Sequence, residues 1–284
     1  MAKARWKVFP YADAGYAYAG AALKAHWSRL HRGDCEPYLD GAGLKQLIAR
    51  HPQLEASNQS IDAAAVTLQD AWRAYHRGDF AEAVELGLAI GLIGYNVANK
   101  ATNIYATYLE KGEKAKLDLF LQSAGRAERL TECAGTLANA WYFYAQALGR
   151  YSQGISVVKA LAEGLGGKVK HALEQTIAIE PRHADAHIAM GTYHAEVINK
   201  VGAMLGGLTY GASREAGVKH FETALKLNPH SAIARIEYAN GLVMMFGEAK
   251  LPQATRLYQE AAACAPADAM ERLDAELAKS ELED

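Results

Sequence analysis

Trp27–Asp34 reads WSRLHRGD and Trp72–Asp79 reads WRAYHRGD, so W-x-x-[L/Y]-H-R-G-D occurs twice, 45 residues apart. A motif that recurs almost intact within one chain points to a repeated structural unit. Glycine tolerates the left-handed backbone that ends a helix. An aspartate just after it can accept from the free N–H groups that open the next. Each HRGD is therefore expected to be the tight turn of a helix hairpin. In the second copy Asp79 and Glu82 have the spacing of a capping box. In the first, Pro37 is expected in the first helical turn, where a missing N–H costs little.

The rest of the chain agrees with a helical reading. Ala- and Leu-rich stretches lie between Gly, Pro and Asn-Pro punctuation, and no stretch sustains the period-two alternation of a half-buried strand. The most apolar run, LGLAIGLIGY from Leu86 to Tyr95, is too short to span a bilayer and reads as a buried helix rich in small residues. The net charge of −2 argues against broad nucleic-acid binding. Cys35, Cys133 and Cys264 are odd in number and far apart, which fits reduced thiols rather than a disulfide framework or a zinc site. The segment MAKARWKVFPYADAG carries charges with no apolar core behind them. It is not expected to act as a secretory signal, and a cytoplasmic location is expected. On that ground the Arg-Gly-Asp tripeptide is not read as a cell-adhesion motif.

Three later segments end in a turn proline: VKHALEQTIAIEP at Pro181, GVKHFETALKLNP at Pro229 and ATRLYQEAAACAP at Pro266. Each sets a small or β-branched residue, then a large one four on, then a small one three later. These are Val169, Leu173 and Thr176; Gly217, Phe221 and Ala224; Ala254, Tyr258 and Ala261. Proline cannot continue a helix and pushes the residue before it out of helical geometry. This pattern resembles the tetratricopeptide repeat (TPR), a 34-residue helix-turn-helix unit. The match is best over Ala216–Pro266, and ANAWYFYAQAL from Ala138 to Leu148 resembles a first helix of such a pair. The layout is also similar to irregular tetratricopeptide-like proteins, such as the regulator of microtubule dynamics family and the T-component lipoproteins of solute transporters. Proline spacings of 48 and 37 depart from 34, and the first carries an insertion that includes MLGGLTYGAS, Met204 to Ser213.

The resemblance implies an all-α helical-repeat array of antiparallel helix pairs in a right-handed superhelix. Residues 1–110 are expected to form diverged repeats. Residues 111–284 are expected to form more regular ones, continuous with the first part and interrupted near 204–213. It also implies a concave groove lined by the first helix of each pair, holding a protein or peptide. The groove positions would be Trp27, His31, Trp72, Tyr75, His76, Asp185, Ile188, Thr192, Ile236 and Asn240. Core packing is the competing reading for both tryptophans.

Other constellations carry less. His183, His187 and His194 lie near one helix face, but their spacing needs a third metal ligand from elsewhere, and HADAH is not H-E-x-x-H. GLGGKV, Gly164 to Val169, lacks the hydroxyl residue and the preceding strand of a phosphate loop. Its glycines read as a helix end and a helix start. Ser213 is expected to cap the helix after the insertion. No Ser/His/Asp or Cys/His grouping is apparent, so the chain is read as a non-catalytic interaction scaffold with no cofactor, no bound metal and no membrane insertion, and self-association is open. The alternative is a small-molecule-binding helical protein with an enclosed pocket built on Trp141, Tyr142, Phe143 and Tyr144.

Overall fold

Fifteen α-helices and no strand are found among the described residues of the computed structural model, which are 6–11, 15–54 and 59–283. Residues 1–5 and 12–14, part of the segment read against a secretory signal, lie outside them. The helices are α1 (Ala22–Leu30), α2 (Gly41–Arg50), α3 (Ile61–Arg77), α4 (Phe80–Ala89), α5 (Tyr95–Tyr108), α6 (Glu113–Ala134), α7 (Ala138–Gln153) and α8 (Val157–Ala162). They continue with α9 (Leu165–Ile179), α10 (Ala184–Val201), α11 (Ala203–Tyr210), α12 (Arg214–Leu227), α13 (Ala232–Phe246), α14 (Leu251–Ala262) and α15 (Ala269–Glu283). Two compact units emerge. The first comprises Met1–Ser28, Glu36–Gly154 and Asp268–Met270; the second comprises Arg29–Cys35, Ile155–Ala267 and Glu271–Asp284. Position 110, the boundary expected from the sequence, falls inside the first unit.

In the first unit α3 packs on α4, α4 on α5, α5 on α6 and α6 on α7. The second HRGD is the turn foreseen. α3 ends at Gly78, whose φ of 93° is left-handed, and Phe80 opens α4. The capping box does not form. Asp79 makes no side-chain cap, because Arg77 binds both Asp79 and Glu82. The run LGLAIGLIGY is not one helix either. It breaks at Gly91, with φ 67°, and a 3-10 turn over Gly91–Gly94 leads into α5. The break lets the backbones of Gly87 and Gly94 touch, and a Cβ on Gly94 would overlap the Gly87 carbonyl oxygen. Replacing Gly94 by alanine should cost about 1–3 kcal/mol, because only backbone movement can relieve the overlap. Urea unfolding of the variant measures the loss.

The centre of this unit is α5, in which all of Asn96 to Ala106 is buried although its polar residues give no apolar stripe. Partners from elsewhere in the unit pair part of it, while Asn96 Oδ1, Asn99 Nδ2 and Asn103 Oδ1 are buried without a hydrogen-bond partner. Asn96 and Asn139 both donate to the buried Glu36 carboxylate, at 3.1 and 2.6 Å. Arg126 donates to Asn99 Oδ1 (2.8 Å) and Thr102 Oγ1 (2.7 Å). Asn103 donates to Gln146 (2.8 Å). Buried polar groups are tolerated when they are paired in this way.

In the second unit α10 packs on α9, α12 and α13, and α13 packs on α12 and α14. That nearest-neighbour pattern is how a helical repeat buries apolar faces that no single pair could bury alone. Caps fix the register. Ser213 accepts from Ala216 N at 3.1 Å and Ser231 from Ala234 N at 3.1 Å, opening α12 and α13. Phe221 is fully buried and stacks on Tyr238 at 5.1 Å, within a core that includes Ile188, Ala195, Leu242 and Leu257.

The first HRGD departs from expectation. His31–Asp34 forms turns after α1, but an extended stretch follows and α2 begins only at Gly41, capped by Asp40. Pro37 explains the delay, since it disfavours helical backbone at Glu36. Cys35, not Gly33, takes the left-handed conformation, at φ 51°. Arg29–Cys35 instead docks within the second unit. Gly33 O accepts from Asp185 N (3.0 Å), Arg32 donates to Leu227 O (2.9 Å), and Arg29 makes a bidentate pair with Glu271 (2.5 and 2.8 Å). A Cβ at Gly33 would run into the Asp185 carboxylate, which would have to move aside for any other residue there.

Candidate partner-binding face

The ten candidate residues part into four groups. Trp27, Trp72, Tyr75 and His76 all belong to the core of the first unit, each at most 7% exposed. Trp72 meets Trp27 edge-on (5.8 Å) and Tyr75 edge-on (5.6 Å) and stacks on His76 (6.0 Å). Lys100 Nζ lies 5.2 Å from the Tyr75 ring centroid, and His76 Nδ1 bonds Asp268 at 2.9 Å. Trp27 donates its indole N–H to Glu36 O at 2.7 Å. These four therefore do not line an aromatic, histidine-lined groove, contrary to the expectation from the sequence. Large rings with one polar tip gain more from packing into the interior than from facing water. His31 is buried too, bonded to Asp34 at 2.9 Å in the second unit.

Ile188 and Ile236 belong to cores of the second unit, with Ile236 against Ala232, Ala261 and Ala278. They hold α10 and α13 in place and are not reachable. Asp185, Thr192 and Asn240 are half-buried. One of them meets a residue that the sequence reading missed. Thr192 Oγ1 donates across the helices to Glu237 Oε2 (3.0 Å), and Asn240 lies one turn along α13 from Glu237, accepting from Tyr258 OH at 2.7 Å. Ala189 and Thr192 on α10, and Ile233, Glu237, Asn240 and Met244 on α13, are all half-buried. They recur at the three- and four-residue steps of one helix face. This stripe is what the first helices of two consecutive pairs present. Nearby, the α12–α13 turn and the end of α14 line an open pocket of ≈ 460 Å³ that includes Pro229, His230 and Cys264, with Arg235 and Glu260 paired at 3.3 Å.

The histidines form a different arrangement from a shared face on one helix. His183 is the N-cap of α10, its Nδ1 accepting from Ala186 N at 3.0 Å. His187 and His194 both meet His220 of α12. His187 Nε2 lies 3.1 Å from Pro181 O and therefore carries the proton. His187 Nδ1 then accepts from His220 Nδ1–H at 2.9 Å. His194 Nδ1 accepts from Ser213 N at 3.3 Å.

All three imidazoles are held below the usual histidine range. Burial lowers His187. Burial, then Lys170, lowers His194. Burial, then His187, His194 and Lys219, pushes His220 down to about 4. Above the ordinary histidine pKa neither folded nor unfolded chain carries these protons. As pH falls from about 6.5 towards 4, the unfolded chain takes up protons that the folded chain refuses, so stability falls through that window. His220→Gln should flatten that loss by about 1 kcal/mol, a figure discounted for the ring's partial exposure. Thermal unfolding at pH 7 and at pH 5 reads it.

The aromatic run Trp141–Tyr144 does not converge on an enclosed pocket. Consecutive helical residues point about 100° apart. Tyr142 and Phe143 are buried, while Trp141 donates to Gly135 O at 2.8 Å and Tyr144 to Glu128 at 3.1 Å. The thiols of Cys35, Cys133 and Cys264 are free, and burial with nearby carboxylates pushes Cys35 up to about 12. A thiol so raised is a poor nucleophile.

No family model matches the chain, and no curated protein matches it. Among solved structures, the chain is similar to TTC0263, a thermophilic TPR protein of Thermus thermophilus. Identity is 16%, the match covers 76% of this chain and 99% of that one, and the TM-score is 0.54. It also matches the MamA protein at 13% identity, over 78% of this chain and 96% of that one, with a TM-score of 0.40. Taken with the stacked helix pairs and their proline-closed turns, the likeness to the Thermus protein establishes that this chain has a TPR-like all-α helical-repeat fold.

Proposed function

We propose that the chain is a non-catalytic scaffold that holds a protein or peptide segment against the face shared by α10 and α13. The observation that carries this reading is the stripe joined by the Thr192–Glu237 hydrogen bond and continued by Asn240. Polar side chains spaced along two adjacent first helices offer hydrogen-bond partners at fixed positions. A ligand meeting such a preformed surface loses little to reorganisation of the protein. Fold alone cannot name the partner, because one fold hosts many functions. The test is affinity capture by tagged wild type beside a Thr192→Arg/Asn240→Arg variant whose fold is checked by circular dichroism and thermal unfolding. The reading expects a protein that wild type retains and the folded variant releases. Identical captured proteins would move the binding face elsewhere.

A further inference from the structure

Arg126 is a half-buried cation with no anion beside it. It reaches from α6 to α5, where Nε donates to Asn99 Oδ1 (2.8 Å) and Nη2 to Thr102 Oγ1 (2.7 Å), both neutral groups. Its Nη1 has no partner and is not buried. Burial pulls the guanidinium below the usual arginine range, and only the nearby Tyr95 phenol offsets this. Arg129, three residues on along α6, is exposed. Among the described residues it forms no ion pair either, although Glu128 and Glu132 flank it. Charges taken out of water are normally paired, and like charges one helical turn apart repel. Two unmatched guanidinium groups on one helix face therefore call for an anion.

The groups beside them are donors. Tyr95, Asn99 and Thr102 recur at four- and three-residue steps along one face of α5. Asn99 is fully buried, and with its oxygen taken by Arg126 its Nδ2 donates to nothing. The Tyr95 hydroxyl has no partner among the described residues. Gly125, one turn before Arg129, leaves open space, since a Cβ there would meet nothing within 4 Å. An oxyanion accepts from every one of these groups. Guanidinium forks bind carboxylate and phosphate in paired hydrogen bonds. Two of them one turn apart match the doubly charged, three-oxygen face of a phosphate better than a single carboxylate. We infer that Arg126 and Arg129, backed by Tyr95 and Asn99, form a binding site for a phosphate group, as the free ion or a phosphomonoester.

The test is equilibrium dialysis of the full chain against radiolabelled inorganic phosphate at fixed ionic strength and pH 7.5. Wild type is expected to bind phosphate saturably. Arg129→Gln should weaken binding about tenfold or more, the worth of a hydrogen bond to a charged group. Its thermal unfolding should be unchanged, because Arg129 is exposed and makes no contact in the fold. Arg126→Lys keeps the charge and loses the fork, and should weaken binding as well. Sulfate should displace the label and acetate should not. Glycerol phosphate displacing it at lower concentration than unlabelled phosphate would assign the site to a monoester, and the reverse order to the free ion. No saturable binding at roughly millimolar phosphate would overturn the proposal, as would equal binding by both folded variants. Acetate displacing the label as well as sulfate would assign the site to a carboxylate and also overturn it.

Discussion

Trp72→Ala should destabilise the first unit by about 3–5 kcal/mol, the usual cost of truncating a large buried ring. The ring is 1% exposed, and three aromatic neighbours close around it. Its face also lies 5.9 Å from the Lys100 ammonium, which is itself buried. Truncation therefore removes a cation–π contact from a charge that water does not reach, adding to the cavity cost. Far-UV circular dichroism during urea unfolding measures the loss. Trp72→Phe should recover part of the stability by refilling the space. A change below about 1 kcal/mol in Trp72→Ala would mean that the ring does not support the core.

Phe221→Ala should cost about 3–5 kcal/mol in the second unit. The side chain is fully buried in a slot between two glycines of neighbouring helices. A Cβ on Gly191 would stand 2.8 Å from its ring, and one on Gly241 2.6 Å. Each glycine exists to admit the ring, so the three positions form one packing unit joining α10, α12 and α13. Gly241→Ala should destabilise the wild type and cost much less beside Phe221→Leu, which withdraws the ring. A double-mutant cycle should give a coupling of about 0.5–3 kcal/mol. Additive losses would show that the ring and glycine do not share the space.

These two sites also mark what the sequence could and could not reveal. Phe221 lies in a local pattern closed by Pro229, and Gly78 ends α3 through its own backbone freedom; signals of that kind are read within a few residues. The two HRGD copies carry the same letters, yet only one is a hairpin turn, because Glu36-Pro37 follows the first and Phe80 the second. For the tryptophans the sequence left groove and core as competing readings, and the structure places both in the core, because burial depends on helices distant in sequence. Helix α5 was not legible as a core helix at all. Its asparagines are matched by Glu36, Arg126 and Gln146, and no periodicity within α5 announces those partners. Glu237 likewise reads as an ordinary solvated carboxylate until Thr192 is brought to it from another helix. His220 was missed for the same reason, standing 33 residues from His187, its hydrogen-bond partner.

The binding face on α10 and α13 is tested most directly by a photo-crosslinking amino acid placed at Asn240, with a second chain carrying it at Glu132, an exposed α6 residue in the first unit whose side chain makes no contact invoked above. Both chains are irradiated in native extract and the adducts identified by mass spectrometry. The account predicts a defined protein adduct from position 240 that is absent from position 132 and that excess unlabelled wild type suppresses. An adduct from position 132 with none from position 240 would contradict it and move the partner to the first unit.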